Sequence, residues 1–223
     1  MDDRYLRPTY HLDFDHPTVR AFAEEAIAGR TSPRERAVAL FYEVRDRIRY
    51  TPYDVDLSPE AMRASAVLAA GRGFCIPKAV LLSAAARAVG VPARLGFADV
   101  RNHLASARLL EVMGGTDVFA WHAFSEFWLD GRWIKATPAF NIELCERFGV
   151  RPLEFDGTTD ALFHPYDTAG RQHMEYIRDR GSYDDLPLDE IRSCFEEMYP
   201  RWIDERPGGD LAAEAEAERA AQR

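Results

Sequence analysis

The chain has 223 residues, 47% of them hydrophobic and 29% charged, a balance that suits a packed globular product and excludes collagen-like and disordered ones. Its net charge is −9; residues 184–223 hold 12 acids and 5 arginines, and the remainder is close to neutral. The basic face that a nucleic-acid partner requires is not expected, because the 26 arginines are scattered and lysine occurs only as Lys78 and Lys135.

Three cysteines without a CxxC pair fit reduced thiols better than a disulfide framework or a Cys-rich zinc site. The first residues lack a basic stretch followed by an apolar core, and no run of about 18 apolar residues occurs anywhere. A cytoplasmic chain without a membrane partner is the expectation. The length predicts one domain over residues 1–206, followed by an acidic Ala/Glu-rich tail over 207–223 that buries little.

In chain order, alternation of Tyr10, Leu12 and Phe14 predicts an opening strand, and Pro17 introduces a helix over about 18–28. Ser32, Pro33 and Glu35 predict a capped start for a second helix striped by Val38, Phe41, Val44 and Ile48. A loop over 51–59 leads to a short helix through Met62, Val67 and Leu68. From Cys75 to Val89 the pattern is helical, with Cys75, Ala79, Leu82, Ala86 and Val89 on one face and Gly90 as its stop. Pro77 is tolerated only in a first turn, which puts Cys75 at the helix start. VPARLGFADV reads as a strand. Residues 101–117 read as a loop with a helical turn, and 118–128 as a second strand turning at Asp130-Gly131 into RWIKAT. NIELCERF predicts a short helix, 150–187 an irregular wrap, and 189–203 a helix around Ile191, Phe195, Met198 and Trp202.

A thiol at a helix start meets aligned N–H groups and the positive end of the macrodipole, which favour thiolate. Lys78 is expected to be solvated. A nucleophilic Cys needs a base, usually His, and the base needs a group to orient its ring. A two-residue turn at 130–131 sets His122 opposite Ala139, with Thr137 on the diagonal and Asn141 on the same face. Thr137 and Asn141 are therefore candidate orienters; Asp156 is a third that nothing positions. Glu126 shares the face and is expected to be solvated. Asp13, Asp15 and His16 alternate about a strand and suggest no metal site, and His164 and His173 lie in a loop-rich stretch without metal-ligand spacing. Trp121, Trp128 and Trp133 suggest hairpin packing.

GRGFCIPKAVLLSAAARAVGVPARLGF followed by WHAFSEFWLDGRWIKATPAFN resembles the transglutaminase-like superfamily over about residues 71–141. The resemblance implies an α+β papain-like core, with helices packed on an antiparallel sheet and a catalytic Cys at a helix N-terminus. By it, Cys75 is the nucleophile and His122 the base of an acyl transfer on a protein or peptide amide through a thioester, with no cofactor and no metal. One departure matters: the family's pattern has Asp before the Pro of the second strand, and here Thr137 precedes Pro138. Thr carries no charge to stabilise an imidazolium. That departure motivates the contrasting reading of a non-catalytic binding module. Acetyl transfer to a small amine, as in arylamine acetyltransferases with a shared Cys-His site, is a further enzymatic reading. Oligomeric state is not legible.

Overall fold

The computed structural model describes residues 2–217 except 104, 164, 165, 206, 207, 212 and 215. The expected opening strand is absent. Residues 10–14 form tight turns instead, with the Phe14 N–H donating to the Leu12 carbonyl, because the buried Asp13 carboxylate is drawn to Ser65 and Arg63 and no strand lies alongside. Helix α1 (Pro17–Ala26) and helix α2 (Pro33–Arg47) follow, the second with the Ser32/Glu35 capping box. A two-residue strand β1 (Arg49–Tyr50) runs parallel to β2 (Arg72–Gly73), with helix α3 (Ala64–Ala70) between them. Gly71 closes α3 in the left-handed conformation. At Gly73 a side chain is excluded, since a Cβ there would lie 2.8 Å from the Pro77 ring. These two glycines bring the chain directly into helix α4 (Cys75–Ala88).

Helix α4 is buried on every side from Ile76 to Arg87. Apart from Lys78, Ser83 and Arg87 its sequence is apolar all round, and the single face expected from its periodicity is corrected to a central helix. Helices α1, α2 and α3 pack on one side and the sheet on the other. That sheet is antiparallel, ordered β5-β4-β3-β6, from β3 (Ala93–Asn102), β4 (Val118–Leu129), β5 (Arg132–Ala136) and β6 (Met174–Tyr183), with helix α5 (Ala107–Val112) in the β3–β4 connection. Helices α6 (Ile142–Phe148), α7 (Leu188–Met198) and α8 (Pro200–Glu205) complete the chain. The helix predicted over 189–203 is broken in two at Pro200.

The hairpin has the predicted register: Ser125 faces Ala136, Trp128 faces Trp133 and Leu129 faces Arg132. Asp130 and Gly131 both have positive φ, the signature of a type I′ turn. The ladder stops at Ala136, so the expected pairing of His122 with Ala139 does not form; the Thr137 N–H bonds to the Ala161 carbonyl instead. Strand β6 corrects the irregular reading of 150–187. It is an edge strand rich in charge, with two register shifts against β3, so it lacks the apolar alternation that identifies a strand.

Ser125 and Ser83 link the sheet to the central helix, Ser83 donating to Ser125 at 2.9 Å and Ser125 to the Ala79 carbonyl at 3.1 Å. Lys78, expected in solvent, is fully buried; its ammonium donates to the Arg45 carbonyl at 2.9 Å and also to the Ile48 carbonyl. Lys78 thus satisfies two carbonyls at the end of α2, where helix geometry leaves them without partners. Burial draws its pKa down to about 7. Lys78→Ala, which removes both donors and leaves a cavity, is expected to cost about 3 kcal/mol in urea unfolding. Lys78→Met keeps the stem and should cost roughly half as much; equal losses would show that carbonyl satisfaction, not packing, dominates.

Candidate active site

Cys75 is the first residue of α4, and the β1–β2 pair immediately before it brings Tyr50 alongside. His122 lies on β4, just beyond the reach of the β5 ladder. Cys75 and His122 line one cavity of about 30 Å³, walled by Tyr50, Phe140, Phe163 and Leu211 among others. This volume accommodates about one water molecule. Residues Ser125 to Leu129 of β4 pair with β5. Where β5 ends, the Ala123 amide is left without a strand partner on that side, and it points at the Cys75 sulfur together with the amides of Ile76 and Cys75.

Local backbone geometry re-aims this end of β4. Between the Ala98–His122 and Val100–Phe119 pairs the register slips by one residue, and Trp121 takes a positive φ of 57°. A bulky residue in that region stores about 1–3 kcal/mol of strain. The Asp99 carboxylate holds the bulge by accepting the Trp121 N–H at 3.1 Å. Trp121 packs on Phe97 and Tyr183, away from the cavity, and Trp128 and Trp133 pack on each other across the hairpin.

The His122 ring sits among aromatic side chains, 4.9 Å from the Phe163 ring and 6.1 Å from that of Tyr176. Its Nε2 atom and the Thr137 Oγ1 are both enclosed, and neither has a hydrogen-bond partner. The Thr137 hydroxyl and the Tyr176 phenol approach one another without reaching hydrogen-bond geometry. Asn141 does not orient the ring: its side-chain oxygen accepts the Tyr50 N–H at 3.2 Å. Asp156 is exposed and closes a local turn on Thr158 and Thr159. Glu126 is neither solvated nor a ring neighbour; it is 3% exposed and bound by Arg94 and Ser182. His173 is buried and stacks on Phe140, while His164 lies outside the described residues.

Burial reverses the expected thiolate. Cys75 is half-buried by area because it borders the cavity, yet protein atoms crowd the sulfur and push its pKa up to about 11 against the three amides that favour the anion. Burial also holds His122 down to about 3, with no carboxylate to oppose it. The resting pair is a neutral thiol beside a neutral imidazole. Among the described residues no cluster of His, Cys, Asp and Glu has the form of a metal site.

The sequence missed Tyr50, Tyr176, Phe163 and Leu211. Tyr50 ends an apolar helical pattern and carried no separate signal, while Tyr176 and Phe163 lie in the stretch read as irregular. Leu211 is 6% exposed, the one buried side chain among the described residues of a tail that is otherwise largely exposed.

Two measurements test this electrostatic picture. Thr137→Asp places a carboxylate at the orphaned position, and the His122 ring should then titrate at least one unit higher by NMR; an unmoved ring would show that residue 137 does not face it. Because the folded pKa of His122 lies below the unfolded value near 6.5, the unfolded chain binds the proton more tightly. The stability due to its neutral burial is complete above about pH 6.5 and is lost as pH falls toward 3. His122→Phe should flatten the stability curve in that window, and an unchanged slope would assign acid lability to other groups.

Among solved structures, the chain is similar to a candidate cysteine protease from Cytophaga hutchinsonii at 15% identity, with 80% of this chain and 53% of that chain covered and a TM-score of 0.47. It is also similar to the periplasmic domain of TgpA from Pseudomonas aeruginosa at 22% identity, with 62% and 48% covered and a TM-score of 0.43. The chain thus spans about half the length of each. No curated protein matches it. Residues 20–138, more than half of the chain, match the sequence profile of the transglutaminase-like superfamily, and the chain belongs to that superfamily.

Proposed function

We propose that this protein carries out cysteine-dependent acyl transfer on a peptide or protein amide, with Cys75 as nucleophile and His122 as acid and base. The observation that carries the reading is the shared cavity: a thiol at a helix start and an imidazole on a strand line the same pocket. In the forward step the Cys75 sulfur forms a C–S bond to the amide carbon as its proton passes to the His122 ring. The ring returns that proton to the departing nitrogen, the C–N bond breaks, and an amine or ammonia leaves a thioester behind. Water or a second amine, deprotonated by His122, then attacks the thioester and regenerates the thiol.

The two high barriers in this scheme are electrostatic. Both reacting side chains rest neutral, so charge forms only as the proton moves, and the three amides pointed at the sulfur are the groups that offset it. No carboxylate stabilises the imidazolium, and the Thr137 hydroxyl makes no hydrogen bond to the ring; a neutral bond formed there during the reaction would be about half as strong as a charge-assisted one. A slow enzyme is the expected result. The wall formed by Tyr50 and Leu211 must also open, since a cavity of about 30 Å³ admits no peptide amide.

An acid-quenched reaction with a blocked glutaminyl peptide, analysed by intact-mass spectrometry, tests the chemistry. The expected product is an acyl adduct that maps to Cys75, is absent in Cys75→Ser, and forms roughly 10²–10⁴-fold more slowly in His122→Ala. Hydroxamate formation on adding hydroxylamine identifies amine transfer, and free acid alone identifies hydrolysis. Failure to form any adduct with glutaminyl or peptide-bond substrates, in the wild-type chain and in Leu211→Ala, would overturn the enzymatic reading in favour of the binding module that Thr137 and its unpaired hydroxyl favour.

A further inference from the structure

Among the described residues of 208–217, Leu211 lines the Cys75–His122 cavity, and Gly209 and Asp210 line the groove beside it. Asp210 starts a helical turn, accepting the Ala213 N–H at 3.2 Å on its side chain and the Glu214 N–H at 3.0 Å on its carbonyl. Residues three apart on such a turn share a side, so Leu211 and Glu214 face the domain together. Leu211 is buried and lines the cavity that holds Cys75 and His122. Its carboxylate neighbour is received by a built site. The Glu214 carboxylate accepts from the Tyr53 hydroxyl and from Ser106 Oγ at 3.0 Å, and Arg108 Nε lies 3.4 Å from it. Tyr53 and Ser106 are 2% and 1% exposed, so two buried donors and a guanidinium converge on one carboxylate.

The remaining acidic side chains of the segment meet cations from two further elements. Arg49 of β1 lies 3.8 Å from Asp210, and Arg147 of α6 lies 3.2 Å from Glu216. Alongside runs an open groove of about 200 Å³ lined by Arg49, Asn141 and Arg147, which shares only Tyr50 and Leu211 with the closed cavity. Tyr50 is fixed by strand pairing and by the Phe140 ring 4.9 Å away. Leu211 is therefore the movable part of the wall, and withdrawing it joins the groove to the thiol. The ion pairs at Asp210 and Glu216 are exposed on both sides; such pairs contribute little each, and a competing peptide can replace them.

We propose that the tail segment, through Asp210, Leu211, Glu214 and Glu216, occupies a peptide-binding subsite beside Cys75 in place of the substrate. The subsite takes an acidic peptide segment that presents an apolar side chain toward the cavity and a carboxylate three residues later toward Tyr53, Ser106 and Arg108. This names a substrate class for the reaction proposed above and rests on that reading. The subsite itself is defined by its contacts and can be tested without catalysis.

The experiment uses the full chain and the synthetic peptide GDLAAEAEA. In wild type, Cys75 should alkylate slowly with iodoacetamide at pH 7.5. In the Leu211→Ala/Glu214→Gln protein it should alkylate at least tenfold faster, with Cys145 and Cys194 unchanged as internal references by peptide mapping. Adding the peptide should restore slow alkylation, and peptides with Ala at the Leu or at the first Glu should not. Fluorescence anisotropy of labelled peptide on the opened variant, repeated with His122→Ala, separates the two readings: retained binding with no acyl adduct would leave the subsite standing and end the chemistry. Equal alkylation of wild type and the opened variant, with melting curves showing both folded, would overturn the proposal, as would a peptide that neither binds nor protects.

Discussion

The placement of the cavity depends on one packing arrangement, the burial of helix α4 between the helical layer and the face of β4. An all-round apolar helix has no solvent face to give up, so its position is fixed from every side by the layers around it. Its first residue is then fixed as well. Gly73 allows the Pro77 ring to close on the preceding strand, and Ser83, Ser125 and Lys78 tie the helix to β4 and to the end of α2. The thiol therefore reaches the sheet where β5 has stopped and the Ala123 amide is free to face it. Strand length, set by Pro138 two residues past Ala136, is as much a part of the site as the cysteine.

Within that frame, desolvation and oriented amides pull the Cys75 proton equilibrium in opposite directions, and desolvation wins. Amides at a helix start favour a thiolate by amounts that matter when the sulfur is otherwise in water. Here an aromatic enclosure removes the water, and no cation or carboxylate supplies compensation. The imidazole meets the same condition from the opposite charge state. Enclosure alone therefore keeps the pair uncharged, and the orphaned Nε2 of His122 and Oγ1 of Thr137 mark where a carboxylate would have changed that balance.

Much of the frame was legible because it is written in local chemistry. Ser32 and Glu35 specify a helix start, Asp130-Gly131 specifies a turn and with it the register of β4 against β5, and Pro77 confines Cys75 to a first helical turn. The α+β class followed from the resemblance to the transglutaminase-like superfamily. What escaped depends on partners distant in sequence. Strand β6 is charged and bulged because it is an edge, so only its pairing with β3 reveals it. Lys78 and Glu126 look like surface residues until the carbonyls and guanidinium that receive them are known. Thr137 could be placed on the His122 face, but its lack of a partner is a property of the surrounding packing.

The same limitation explains Leu211 and points to how the closed site is maintained. An Ala/Glu-rich segment buries too little to hold itself against a domain, and its composition correctly conveys that weakness. Attachment comes from complementarity on the other side: Tyr53, Ser106 and Arg108 converge on the Glu214 carboxylate, two of them buried beneath the segment. The carboxylate site is built by the domain, whereas the segment itself gains little from the particular ligand being its own. A ligand site with that asymmetry closes by default and opens to a better-matched acidic peptide, because what the domain requires is an anion and an apolar side chain at a fixed spacing. The neutral thiol accords with that closure, since Leu211 lines the cavity beside which burial raises the Cys75 pKa.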